Sequence, residues 1–231
     1  MTNLADLKWV QVEGAARLVL LVPLGSLEQH GPHLPLDTDT RIAVAVAQGA
    51  ASSRDGVAVA PPVAFGASGE HAGFPGTLSI GTDALTQLLI ELGRDASRDW
   101  DRMLLVNAHG GNRAAVDAAL ARLRFEGRRS RAFHATVAAG DAHAGRTETA
   151  LLLHLDPDIV RMDLAEPGTL APLGALMDRL RRDGVRSVSP NGVLGDPRGA
   201  TAVEGERLLG ELVACCTSLL DGLLQSDPLH A

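Results

Sequence analysis

The run Leu18-Val19-Leu20-Leu21-Val22 is apolar at every position, is closed by Pro23, and leads at once into a polar, histidine-rich loop. A strand with one face in water alternates apolar and polar residues, whereas an unbroken apolar run suits a strand buried on both faces of a parallel sheet. Shorter runs repeat the signal at Val57-Ala58-Val59-Ala60, at Arg102 to Val106 and at Arg131 to Ala135. Between them lie helical patterns. One spans Asp39 to about Arg54, and a second spans Thr82 to Ser97 with Leu85, Leu88, Leu89 and Leu92 on one face. A third is Ala-rich, capped by Asn112 and running to about Glu126. Thr147 to Leu155 stops at the breaker pair Asp156-Pro157, and Thr201 to Leu224 is long and amphipathic. Alternating strands and helices predict a layered α/β domain around a mainly parallel sheet. The chain's 231 residues suit one such domain, 1–231. The Gly- and Pro-rich stretch from Asp163 to Gly199 shows little periodicity beyond a basic amphipathic patch at Leu176 to Arg182. It is expected to be a surface excursion, a lid or a subunit contact.

Charge and aromatic content narrow the partners. Lys and Arg number 21 against 28 Asp and Glu, a net charge of −7, and the aromatics are four Phe, two Trp and no Tyr. That composition argues against nucleic acid and anionic membrane surfaces. Cys215 and Cys216 are adjacent in a helical pattern, where their side chains diverge, so a reduced, cytoplasmic chain is expected. The first residues lack a basic segment followed by an apolar one, and no unbroken apolar run is long enough for a membrane helix.

The eight histidines are distributed less evenly than the composition suggests. Glu28 and His30 follow the first strand two residues apart, so in extended backbone both point the same way and can reach one point. Asp39 lies at the next helix start, and a carboxylate there can bridge two cations or simply cap the helix. His109, in Asn107-Ala108-His109-Gly110-Gly111-Asn112, follows the third strand, and in open α/β sheets sites form beyond the carboxyl ends of the strands. A third cluster, Gly140 to Thr149, contains His143, able to donate or accept a proton near neutral pH. It also contains Glu148, which could equally be an ordinary first-turn carboxylate. His, Glu and Asp without Cys form a donor set suited to Zn²⁺, Fe²⁺ or Mn²⁺.

Taken together, Gly25 to Pro35 with Asp39, Glu70-His71, Phe74-Pro75-Gly76-Thr77, His109-Gly110-Gly111-Asn112, His143-Ala144-Gly145 and Glu148-Thr149 resemble the creatininase family, in family order. The resemblance implies a three-layer α/β/α sandwich, two divalent metal ions, hydrolysis of C–N amide bonds and a homo-oligomer. It implies that Glu28 and His109 hold one ion, His30 holds the other and Asp39 bridges. The family glutamate two residues after His109 is replaced by Gly111, and Glu148 is its expected substitute. Creatininase closes over creatinine with tryptophans near the third cluster, but here the only tryptophans are Trp9 and Trp100. The Asp141 to Ala150 and Asp156 to Met162 segments are most similar to a family branch that removes a Val-Tyr dipeptide from a modified ribosomally made peptide. A branch acting on a small formamide is the alternative substrate reading.

The corresponding mechanism has metal-activated hydroxide attack the carbonyl, with the Gly110-Gly111 amides binding oxyanion charge and His143 protonating the leaving nitrogen. Glu70 and His71 are placed at the catalytic pocket, with a salt-bridged surface pair as the alternative. Arg146, Arg161 and Arg198 are candidates to bind a substrate carboxylate. A serine esterase is disfavoured because no G-x-S-x-G occurs. A non-catalytic protein with a structural metal fits less well, because a carboxylate-rich site leaves room for water.

Overall fold

A computed structural model describes residues 2–52, 54–138 and 140–225. In chain order the main elements are β1 (Thr2–Asn3), α1 (Trp9–Glu13), β2 (Val19–Leu24), α2 (Thr38–Ala51), β3 (Val57–Val59), α3 (Gly81–Ala96), β4 (Arg102–Asn107), α4 (Arg113–Phe125), β5 (Ser130–His134), α5 (Arg146–Leu155), α6 (Leu173–Asp183), α7 (Val185–Val188) and α8 (Ala202–Gln225). The strands form one sheet in the order β1-β3-β2-β4-β5, with every pairing parallel.

The apolar run of β2 sits at the centre, buried at all six positions, as does β4 beside it. Successive side chains leave opposite faces of a strand, so one run feeds two cores. Val19 and Leu21, with Leu104 and Val106, pack under α2, α5 and α8. Leu20, Val22 and Leu24, with Met103 and Leu105, pack under α3 and α4. Each fully buried Leu or Val contributes about 1.5–3 kcal/mol, so the central strands are held firmly in register. The result is the three-layer α/β/α sandwich.

Two elements depart from the expectation. β1 and α1 carry no periodic pattern, being two and five residues long, and form only because β3 offers an edge and the second core offers Leu4 and Val12 a place. The 163–199 excursion is also more regular than its composition suggests. Leu176 and Leu180 of α6, Val185 and Val188 of α7, and Leu194 form a third apolar cluster with Phe74 and Met177. Helix α8 has a mean hydropathy of 1.4 over its most apolar stretch, enough by composition to cross a membrane. Here Leu208, Leu212, Cys216 and Leu220 insert into the first core.

Candidate metal centre

Parallel strands of one sheet end on one edge, so the loops after β2 and β4 meet there. The β2 loop brings Glu28 and His30, the first turn of α2 brings Asp39, and the β4 loop brings His109. A short 3-10 turn, Gly69–His71, adds Glu70 and His71, and the first turn of α5 adds Glu148. His143 is set by a bridge between its backbone and Leu194 of the excursion. Three overlapping groups result, Glu28–Asp39–His109, His30–His143–Glu148 and Glu28–His71–His143, with donor atoms within 4.8 Å of one another in each.

Asp39 links the first two groups. Its Oδ1 lies 3.2 Å from His30 Nε2 and its Oδ2 lies 3.1 Å from His109 Nδ1. His30 donates its Nδ1–H to the Glu28 carbonyl at 3.1 Å, which turns Nε2 toward Asp39 and, at 3.9 Å, toward Glu148. His109 donates its Nε2–H to the Ala67 carbonyl at 3.2 Å, leaving Nδ1 toward Asp39. An imidazole held through one N–H by a carbonyl, with its other nitrogen aimed among carboxylates, has the arrangement of a metal ligand.

Glu28 tests the fit. Both of its oxygens are buried and lack a hydrogen-bond partner among the described residues. Around them stand His109 Nε2 at 3.2 Å, His71 Nε2 at 3.3 Å and His143 Nδ1 at 3.8 Å. A buried carboxylate left in this way costs several kcal/mol, and a divalent cation supplies the missing partner. The residues present therefore fit a His and carboxylate metal centre.

The protein's own electrostatics agree. Burial pushes the Glu28 and Glu148 carboxyls up to about 7. Burial also opposes charge on His30 and His109, but the facing carboxylates outweigh it and carry both to about 10. Asp39, buried yet flanked by those two imidazoles, is held well below the usual carboxylate range. Burial and the neighbouring charged histidines lower His71 to about 3 and His143 well below its usual value. Protons thus gather where positive charge is needed.

A cavity of about 820 Å³ opens onto Asp39, His109, His143 and Glu148. Gly110 lines it, but Gly111 turns toward the 3-10 turn, where an added Cβ would lie 2.3 Å from the Ala67 carbonyl and 2.6 Å from Glu70 Oε1. No side chain fits at that position, so the family glutamate has no room. Glu70 is one-third exposed with Oε1 3.9 Å from His109, while His71 is buried against Glu28. Neither lines the cavity. Of the three expected arginines only Arg146 lines the cavity, and each of the three makes an ion pair. Arg146 pairs with Glu204 at 2.9 Å, Arg161 with Asp163 at 2.6 Å and Arg198 with Asp196 at 2.8 Å. Arg113, which no sequence motif singles out, lines the cavity beside Arg146 and donates to Thr136 Oγ1 at 2.8 Å. Ser26 and Gln29 likewise carry no ligand signal of their own, although both lie inside the first motif. Gln29 in particular looks outward-facing in an extended strand beside Glu28 and His30.

Residues 5–220 match the family model described as creatininase, creatinine amidohydrolase. The chain is 58% identical over 204 residues to the mycofactocin precursor peptide peptidase of Mycolicibacterium smegmatis, covering 86% of this chain and 82% of that protein. Among solved structures, a creatinine amidohydrolase (creatininase) is similar with a TM-score of 0.82 and 25% identity, over 98% of this chain and 99% of that one. The structure named "Creatininase Mn" is similar with a TM-score of 0.80 and 25% identity, over 96% and 98% of the two chains.

Proposed function

The chain belongs to the creatininase family and is a hydrolase of C–N bonds, and from that premise we propose that it trims the modified mycofactocin precursor peptide, releasing a carboxy-terminal Val-Tyr dipeptide. The observation that carries this reading is the 58% identity to the mycofactocin precursor peptide peptidase, against 25% to the solved creatininase. The cavity supports it, because 820 Å³ is ample for a peptide segment and no tryptophan lines it among the described residues.

In this proposal Glu28 and His109 hold one ion, His30 and Glu148 hold the other, and Asp39 lies between them. Bound divalent ions supply an acidified water and a polarised scissile carbonyl. The chain's residues do the rest. His143 gives its Nε2–H to the Gln29 carbonyl at 2.8 Å, so its Nδ1 is the atom that takes a proton from the attacking water and returns it to the leaving nitrogen. Gly110 presents backbone on the cavity wall where oxyanion charge develops. His71 acts behind the centre on Glu28, and Glu70 stands beside His109. Arg146 and Arg113, both on the cavity wall, are the cations placed to meet a polar group of the peptide. The proposal extends to iron, zinc or manganese as the metal, and to a cytoplasmic homo-oligomer.

Mass spectrometry of products, after incubating the protein with the modified precursor peptide, creatinine or a formamidopyrimidine, tests the reading. Dipeptide release from the first substrate alone, abolished by chelation and restored by metal, is expected. Turnover of either small amide with none of the peptide overturns it.

A further inference from the structure

Gln29 lies between Glu28 and His30 in sequence, and its side-chain amide reaches His71 and His143 at the back of the centre. Its orientation is determined. Oε1 accepts the backbone N–H of Gly31 at 2.9 Å, so Nε2 must be the end that faces inward. That nitrogen has two hydrogens. Acceptors stand at His71 Nδ1, 3.0 Å away, and at the Gly192 carbonyl, 3.1 Å away. His143 Nε2 is also 3.0 Å from Gln29 Nε2, but it lies 2.8 Å from the Gln29 carbonyl oxygen. Two lone pairs do not approach at 2.8 Å, so His143 Nε2 carries a hydrogen and donates it to that carbonyl. The two Gln29 hydrogens then go to His71 and Gly192, and every donor is used.

We infer that Gln29 is a positioning residue that sets the tautomers of His71 and His143 and ties the 163–199 excursion to the centre. With Nδ1 accepting from Gln29, His71 must carry its proton on Nε2, the nitrogen 3.3 Å from Glu28 Oε1. His71 therefore turns an N–H rather than a lone pair toward the Glu28 carboxylate, near it but not aligned as a hydrogen bond. With Nε2 held by the Gln29 carbonyl, His143 presents its Nδ1 lone pair to the centre. One residue thus makes one imidazole a donor and the next an acceptor. The Gly192 contact needs glycine. Its φ is +82°, and a Cβ there would lie 1.8 Å from Gln29 Oε1. The loop before Leu194, whose backbone also bridges to His143, is held by the same amide.

The inference rests on the proposed hydrolase only for its kinetic consequence; the tautomers themselves are read spectroscopically. The test is long-range ¹H–¹⁵N correlation of the histidine rings in zinc-loaded protein, assigned with single His→Gln variants. Wild type is expected to show His71 and His143 both as Nε2–H. Gln29→Glu, whose carboxylate can only accept, is expected to move His71 to Nδ1–H. Gln29→Leu is expected to give a mixture at His71, with His134 and His154 unchanged and kcat reduced about 10–100-fold at little change in KM. His71 as Nδ1–H in the wild type overturns the inference, as does an unaltered His71 pattern in both variants. The wild-type spectrum decides even if a variant fails to fold. The expected spectrum in a protein that leaves the peptide intact would overturn the proposed substrate and leave Gln29's role standing.

Discussion

The Ser26 hydroxyl donates to Asp39 Oδ2 at 2.8 Å, joining two fully buried side chains thirteen residues apart. The bond turns the carboxylate so that Oδ1 is left for His30 and Oδ2 for His109. Ser26→Ala removes that restraint without adding bulk. The fold should be retained and affinity for divalent metal should fall about 10–100-fold, read by competition with a chelating dye. Unchanged affinity would show that Asp39 holds its pose without Ser26.

Metal-free protein should lose stability as pH rises from about 7 to about 10. His30 and His109 titrate near 10 in the folded chain but near their ordinary value when unfolded. Between those values the folded state binds more protons, so the stabilisation is complete below about pH 6.5 and is lost as pH passes through 10. Saturating zinc should flatten the slope, because ligating imidazoles are already deprotonated. Melting temperatures across that range, with and without zinc, measure both effects; a flat metal-free profile would contradict the cluster's electrostatics.

His33 gives its Nε2–H to Thr149 Oγ1 at 2.9 Å, and that hydroxyl donates to the Gly145 carbonyl at 2.6 Å. His33 Nδ1 is already buried without a partner among the described residues. Thr149→Val would orphan the second nitrogen as well, and should cost about 1–3 kcal/mol in urea unfolding. A loss below about 0.5 kcal/mol would mean that the loop and α5 are joined by packing alone.

Gly111→Ala should destabilise the chain by about 1–3 kcal/mol, because the new methyl would meet the Ala67 carbonyl at 2.3 Å. Gly110→Ala, where an added Cβ meets nothing within 4 Å, is the control and should leave unfolding nearly unchanged. Equal effects at the two positions would refute the steric account.

Much of the architecture was legible because hydrophobic periodicity is local. The runs that became β2 and β4, and the helices from α2 to α5, lie within a few residues of where their patterns place them. β1 was invisible because two residues carry no period, and α6 showed only as a basic patch because its neighbours are rich in Gly and Pro. The expected centre also came together, since Glu28, His30, Asp39, His109 and Glu148 all follow strand ends or open helices on one sheet edge. Which arginine reaches the cavity was not legible: Arg146 lines it while paired with Glu204, 58 residues on, whereas Arg161 and Arg198 pair locally with Asp163 and Asp196 away from it.

By itself the sequence determined the layers, the edge of the sheet that bears the site, and the donor types gathered there, for these follow from residue pattern and chain order. Only the tertiary structure decided which nitrogen of each imidazole faces the carboxylates, that Asp39 turns one oxygen to each side, and that Gln29 and Gly192 meet behind His143. The physical reason is that hydrogen-bond direction depends on partners from other loops. Glu28 makes the point: its residue type names a possible ligand, but only burial among His71, His109 and His143 leaves it needing a cation.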